Sequence, residues 1–422
     1  LSLSVSTRFS SGVIYNLISF GVIGVSGFLL NALIGRIYGE AALGQFSQVF
    51  AAYLILSQLA VGGFYFSTLR FVSEHIEMPQ EAGAILNTAL LLGLVQSIAI
   101  AGATWLAAPL IGRLLDSPNV TTGLYWITPA LVVFALNKIL FAAANGLQQI
   151  GLHALFQGLR FVFVILSLVG LIALDGSPAA IPVVFTIAEA VLFVLFLLWF
   201  AGKGLLRPPY MTRAWLTRHV SFGRRVYFSG LLFDINTKVD IIMLGYFTGD
   251  AEVGIYAFAA LLAEGFGQLT TVLQTSLNPL LVRLKAEGRQ DELPAMVRRC
   301  LWMFTPAMAA IAVVASLLFP FVALLLTGNS ALAEGVWIFA ILCAGTVIAA
   351  AWLPFNMLLS QWGHPKWQTA LLLSGLGTNV ALNLVLIPLY GGLGAAIATA
   401  SATVAMVLYM KAIVFRLEQI RI

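Results

Sequence analysis

The stretch Gly35-Arg-Ile-Tyr-Gly39-Glu-Ala-Ala-Leu-Gly44-Gln-Phe46 returns as Gly245-Tyr-Phe-Thr-Gly249-Asp-Ala-Glu-Val-Gly254-Ile-Tyr256. Three glycines, an acid, an alanine and an aromatic recur in register at an offset of 210 residues. The same offset relates Gln58 to Gln268, and an offset of 212 relates Gln149-Ile-Gly151 to Gln361-Trp-Gly363. Near 215, Asp175-Gly176 matches Tyr390-Gly391, a drift that a few loop insertions produce. The chain is therefore two similar halves. Singly, each glycine permits only a tight turn or a close helix approach; the information lies in the repetition.

Composition says what the halves are made of. Of 422 residues, 60% are hydrophobic and 9% charged, against roughly 25% charged in an ordinary soluble chain. The mean hydropathy is +0.98. Soluble, disordered and fibrous classes are excluded. Apolar runs of 20 or more residues recur without the alternation of a membrane barrel. Cutting at charge and Gly/Pro clusters leaves twelve segments, near 10–35, 42–68, 82–112, 122–147, 152–174, 178–201, 223–247, 252–282, 297–326, 332–360, 367–388 and 391–415. The first run is long enough to span and shows no small-residue cleavage pattern, so it reads as a span. An even number of spans per half makes the repeat parallel rather than inverted. The expected fold is all-α and membrane-integral, with about 12 transmembrane helices in two pseudo-symmetric six-helix lobes around a central cavity. The lobes would be 1–201 and 223–422, joined by a basic linker, 202–222, containing Pro208-Pro209. Pro129, Pro182, Pro306 and Pro354 lie within apolar runs, where proline kinks a helix.

With both termini on one side, 17 of the 22 Lys and Arg residues fall there. Arg36 and Arg113 face the other side, while Lys138, Arg160 and Lys238 lie within spans. The positive-inside rule then places both termini in the cytoplasm. The net charge of +5 is a topology signal, with some attraction to anionic membrane lipids, and nucleic acid is not needed to explain it. Cys300 and Cys343 cannot build a disulfide framework or a metal site, and the four histidines are scattered. Gly391-Gly392-Leu-Gly394 has no strand–helix unit around it to make a dinucleotide fingerprint. No ATP-binding loop is present. No cofactor and no metal are expected, and two parallel lobes favour a transporter over a receptor, scaffold or enzyme.

The turns carry a resemblance. Gly39-Glu-Ala-Ala-Leu-Gly44-Gln-Phe46, Leu69-Arg70-Phe-Val-Ser-Glu74, Val239-Asp240-Ile-Ile-Met-Leu-Gly245-Tyr-Phe and Val253-Gly254-Ile-Tyr256 open the series. Asn278-Pro279-Leu-Leu-Val-Arg283 and Asn383-Leu-Val-Leu-Ile-Pro388-Leu-Tyr-Gly391-Gly392-Leu-Gly394-Ala-Ala-Ile-Ala398 complete it. In order and spacing the chain resembles the polysaccharide-transport branch of the multidrug/oligosaccharidyl-lipid/polysaccharide exporter superfamily. The resemblance implies a flippase that moves polyprenyl-diphosphate-linked oligosaccharide from the cytoplasmic to the outer leaflet of the bacterial inner membrane, for O-antigen, capsule or exopolysaccharide. It implies a polysaccharide polymerase and glycosyltransferases as partners. Relatives that flip the peptidoglycan precursor usually carry two further helices. Multidrug exporters of the superfamily share twelve helices, so an ion-coupled drug or cation antiporter stays open. A membrane-embedded polymerase or ligase would need a large external loop, and the longest predicted here is about ten residues.

An ionisable side chain at mid-bilayer costs roughly 2.5–3.5 kcal/mol, so those within spans are functional candidates. Lys138 lies in the fourth segment, sharing a face with Asn145 seven residues on. In the fifth, His153, Gln157 and Arg160 line one face. Arg suits forked hydrogen bonding to phosphate and Lys adds a compact charge, so a diphosphate headgroup fits this pair. An internal pair of Arg160 or Lys138 with Glu189 fits equally. Arg36 and Arg70 are the cationic alternatives nearer the membrane surfaces. The second half carries Asp234, Asp240 and Glu264 against Lys238. Asp234 and Lys238, four apart, can neutralise each other, whereas Asp240 is unpaired in sequence. Glu264, Gln268, Thr271 and Thr275 form one polar stripe. A carboxylate facing a cavity there, or Glu189 in the first half, would bind Na⁺ or exchange a proton and couple transport to a gradient.

Overall fold

Proline and glycine punctuate a chain that is otherwise continuous apolar helix. A computed structural model describes residues 2–206, 212–227 and 231–420, with backbone only at 2–18, 20 and 231–234. In chain order the helices are α1 (Ser2–Ile37), α2 (Gly39–Val61), α3 (Phe64–Glu74), α4 (Pro79–Leu114), α5 (Pro118–Gly146), α6 (Ile150–Ala173), α7 (Val183–Gly202) and α8 (Arg213–Val226). They continue as α9 (Leu231–Phe247), α10 (Asp250–Ala286), α11 (Leu293–Arg299), α12 (Thr305–Thr327), α13 (Ser330–Ala333), α14 (Val336–Ala349), α15 (Leu358–Gln361) and α16 (Pro365–Glu418). No strand occurs among the described residues.

Eight helical segments among the described residues are long and apolar enough to cross a membrane, and α2 with α3, bent by 48°, makes a ninth. Gly391, at φ 55° and ψ −131°, breaks α16 into two helices. Adding α1 and α9 gives twelve, matching the apolar runs. Pro79 and Pro118 open α4 and α5, where a missing N–H costs nothing. Pro129 lies inside α5. Contrary to expectation, Pro182 precedes α7 and Pro354 lies in a 3₁₀ turn, so these two mark a helix start and a break, whereas Pro306 follows a π turn at Cys300–Phe304 inside the continuous helical segment Gln290–Thr327.

Contacts divide the chain into two compact units, Leu1–Ala32 with Gln48–Ile235, and Leu33–Ser47 with Asn236–Ile422. The first centres on α5, whose Ile139, Leu140 and Phe141 are buried with Ile85, Leu86, Phe196 and Phe200. Phe196 meets Phe141 and Phe156 edge-on, both at 4.7 Å, the offset geometry aromatic quadrupoles favour. Polar α8 belongs to this unit. Thr212 caps it by accepting from the Trp215 amide, and Trp215, His219 and Gly223, spaced by four, are its buried face.

In the second unit the repeated turns meet. A Cβ on Gly44 would collide with the Asp250 carbonyl, and one on Gly254 with the Glu40 carbonyl. The recurrence of glycine at these two positions thus has a single steric cause. Side chains tie the same turns: Asn329 donates to Glu40 at 2.6 Å and Gln45 to Asp250 at 2.9 Å. Glu252 accepts from the Gly392 amide at 2.7 Å, satisfying an N–H next to the Gly391 break.

Candidate functional site

In the first unit, α5, α6 and α7 bring Lys138, Arg160 and Glu189 together around aromatic rings. Arg160 Nε lies 2.8 Å from Glu189 Oε1, with side-chain exposures of 13% and 3%. The guanidinium is 5.0 Å from the ring centres of both Phe134 and Phe141. Lys138 Nζ stands 5.5 Å from the same Phe134 ring and 5.6 Å from that of Tyr65. Such faces partly replace the hydration both cations lose. Asn137 donates to the Glu189 carboxylate at 2.7 Å and to its backbone carbonyl at 2.9 Å. The Tyr53 hydroxyl and Asn137 Oδ1 are buried without a hydrogen-bond partner among the described residues.

Of the other sequence-derived candidates in this unit, His153 joins through an edge contact with Phe141 at 5.1 Å, and Asn145 acts on the Tyr65 hydroxyl. Gln157 is half-buried on the His153–Arg160 face of α6. Arg70 takes no part in the cluster, and Arg36 belongs to the second unit. Arg36 is exposed at the end of α1, and Arg70 is exposed and paired with Glu74 at 2.8 Å. Of the two arrangements open in sequence for Arg160, the structure holds the internal pair with Glu189.

In the second unit Asp240, on α9, is 6% exposed. It accepts from Tyr256 at 3.0 Å, Asn379 at 2.8 Å, Asn383 at 2.7 Å and Thr399 at 2.6 Å. No cationic side chain pairs with it among the described residues. Asn383 also donates to Asn379 Oδ1 at 2.9 Å, while Asn383 Oδ1 is buried without a partner among the described residues. Lys238 bonds Glu264 on α10 at 2.8 Å; the side chain of Asp234, its neighbour in sequence spacing, lies outside the described residues. Among those residues no three His, Cys, Asp or Glu side chains cluster as a metal site. Tyr53, Asn137, Asn379 and Thr399 were not singled out from sequence. Asn379 and Asn383, four apart in an apolar helix, carried the usable signal: one polar face with no solvent to meet.

A family model described as polysaccharide biosynthesis protein matches residues 9–285, two thirds of the chain. The chain belongs to this family. A second model, MatE, matches 226–385. An uncharacterized membrane protein of Methanocaldococcus jannaschii is 24% identical over 170 residues, which are 40% of this chain and 39% of that relative. Among solved structures, the lipid II flippase MurJ in an inward closed conformation superposes with a TM-score of 0.78 at 14% identity, over 96% of this chain and 87% of that one. An inward-facing multidrug resistance MATE family transporter of the MOP superfamily gives 0.76 at 14% identity, over 93% and 95%. The MATE multidrug transporter DinF-BH gives 0.63 at 16%, over 98% and 96%. These likenesses establish the fold alone, that of an all-α, multi-pass membrane protein.

Proposed function

We propose that the chain flips polyprenyl-diphosphate-linked oligosaccharide from the cytoplasmic to the outer leaflet of a bacterial inner membrane by alternating access, with both termini cytoplasmic. The observation that carries this reading is the convergence of Lys138 and Arg160 on the Phe134 ring inside an apolar helical unit. A carboxylate and a phosphate offer a guanidinium the same forked acceptor geometry. Glu189 therefore marks where an anion is held, and a diphosphate would displace it from Arg160 while Lys138 takes the second charge. His153, Gln157 and Asn145 would meet the first sugars. The family match over 9–285 supports a polysaccharide role. Glycosyltransferases would supply the substrate and a polymerase consume it.

Asp240 favours coupling to an ion gradient. Its carboxylate, Asn379 and Asn383 carbonyl oxygens, Thr399 Oγ1 and Tyr256 Oη are hard oxygen donors suited to Na⁺, and the orphaned Asn383 Oδ1 fits that use. The same carboxylate could carry a proton. It is also what favours a second reading, an ion-coupled drug or cation antiporter, together with the MatE match.

The test is leaflet exchange of fluorescent polyprenyl-diphosphate-linked oligosaccharide in liposomes. Lys138→Ala and Arg160→Lys are expected to slow exchange at least tenfold, the loss of one charge-assisted hydrogen bond or more. Wild-type rates in both variants would remove the cluster from the transport path.

A further inference from the structure

Helix α8 turns a second polar face outward, and it is arranged as a site. Arg218, Ser221 and Arg225 fall at i, i+3 and i+7, and with Thr217, Phe222 and Phe71 they line a cleft of about 290 Å³. The opposite face of α8 is anchored. Trp215 Nε1 donates to Glu81 at 2.6 Å, and His219 lies 2.7 Å from Ser67 Oγ and 3.2 Å from the Ile85 carbonyl. A Cβ on Gly63 would collide with the Gly223 backbone, so α8 is held against the start of α3. The guanidiniums are held as well: Arg218 lies 4.6 Å from the Trp215 ring centre, and Arg70 lies 5.3 Å from that of Phe222 at the cleft's edge. Arg70 is neutralised by Glu74. Arg218 and Arg225 have no carboxylate partner among the described residues.

Two guanidinium forks and the Ser221 hydroxyl on an aromatic floor, beside a Thr217 hydroxyl that donates to the Arg213 carbonyl at 3.1 Å, are a donor set for a tetrahedral, multiply charged oxyanion. The remaining face of α8 tells where that anion comes from. Arg213 and Arg224 are exposed beside Ala214 and Val220, the latter 44% exposed. Cations interleaved with exposed apolar side chains are the signature of a helix lying in the headgroup layer, and α9 begins a few residues after α8 ends.

We propose that this cleft binds the phosphate of an anionic glycerophospholipid, which fastens α8 to the cytoplasmic membrane surface. The site is separate from the Lys138–Arg160 cluster and does not depend on what the protein transports.

The test is native mass spectrometry of the full chain titrated with phosphatidylglycerol. Arg218→Gln/Arg225→Gln is expected to weaken the first bound lipid roughly tenfold or more. The charge-matched Arg283→Gln/Arg298→Gln control, exposed on α10 and α11 of the second unit, should stay within about twofold of wild type. Should the Gln pair aggregate, Arg218→Lys/Arg225→Lys decides, keeping charge but losing the fork; it should weaken binding severalfold. Equal weakening in the control pair would reduce the site to diffuse charge, and no weakening in the Gln or Lys pair would overturn it. Displacement of the lipid by inorganic phosphate at matched concentration, or by polyprenyl diphosphate in preference, would overturn the assignment of the occupant.

Discussion

Removing the charge of Glu189 should cost far more than a polar contact between membrane helices usually does. Glu189→Gln keeps the volume of the side chain and an acceptor for Asn137, so the change isolates the carboxylate. Arg160 is then left inside the unit without its counter-ion at 2.8 Å. Breaking a buried pair by losing one partner costs about 3–5 kcal/mol. Phe134 and Phe141 at 5.0 Å each stay in place and return nothing new, so the expected loss is about 3 kcal/mol. Arg160→Met should cost about as much, because it strands a carboxylate that is 3% exposed. Carrying both substitutions removes both charges and should leave stability within about 1 kcal/mol of wild type. The coupling energy is then several kcal/mol, against an average near 0.6 kcal/mol for hydrogen-bonded pairs in a helical membrane protein. The assay is a double-mutant cycle from denaturant-induced unfolding in micelles, followed by circular dichroism. Additivity within about 0.5 kcal/mol would refute the reasoning and make the two side chains neighbours without energetic weight.

Other perturbations separate the remaining parts of the account. Gly44→Val or Gly254→Val forces a side chain into a facing backbone carbonyl and should cost about 2 kcal/mol or more by overpacking, read as a lower Tm; Gly102→Ala, with open space around it, should be neutral or stabilising. His219 is held neutral, because burial pushes its pKa from 6.5 down to about 4 against a smaller opposing contribution from the Ile85 carbonyl. Its Nε2 faces that carbonyl and must carry the proton, leaving Nδ1 to accept from Ser67. The unfolded segment takes up a proton below pH 6.5 and the docked helix does not. Docking is therefore at full strength above that pH and loses up to about 3 kcal/mol as pH falls toward 4. Hydrogen exchange across α8 should quicken between pH 7.5 and 5 beyond the intrinsic rate change, and His219→Gln should flatten that response. Asp240→Asn should leave passive leaflet exchange intact and abolish its response to a Na⁺ or H⁺ gradient; an unchanged response would move coupling to another residue.

Much of this was legible because charge inside an apolar run is conspicuous. Arg160 and Glu189 announce themselves by cost alone, and the Gly44 and Gly254 turns by recurring at one offset. What stayed hidden was neutral or distant. Asn379, Asn383 and Thr399 carry no charge to flag them, and they meet Asp240 across 139, 143 and 159 positions. Spacing along one helix pointed Lys238 only to Asp234, whose side chain lies outside the described residues, whereas its bond to Glu264 on α10 spans 26 positions that no helical period connects. Helix α8 read as a basic linker because five of its fourteen residues are Arg or His. Only the structure shows its Trp215–His219–Gly223 edge buried and its arginine edge lining a cleft.

The central claim is a choice of cargo, and one preparation can decide it. Proteoliposomes of the full chain should be assayed side by side for exchange of polyprenyl-diphosphate-linked oligosaccharide and for gradient-driven efflux of a cationic dye. A flippase gives oligosaccharide exchange that Lys138→Ala slows, with no dye efflux above empty vesicles. Dye efflux that Asp240→Asn abolishes, with no oligosaccharide exchange, would contradict it.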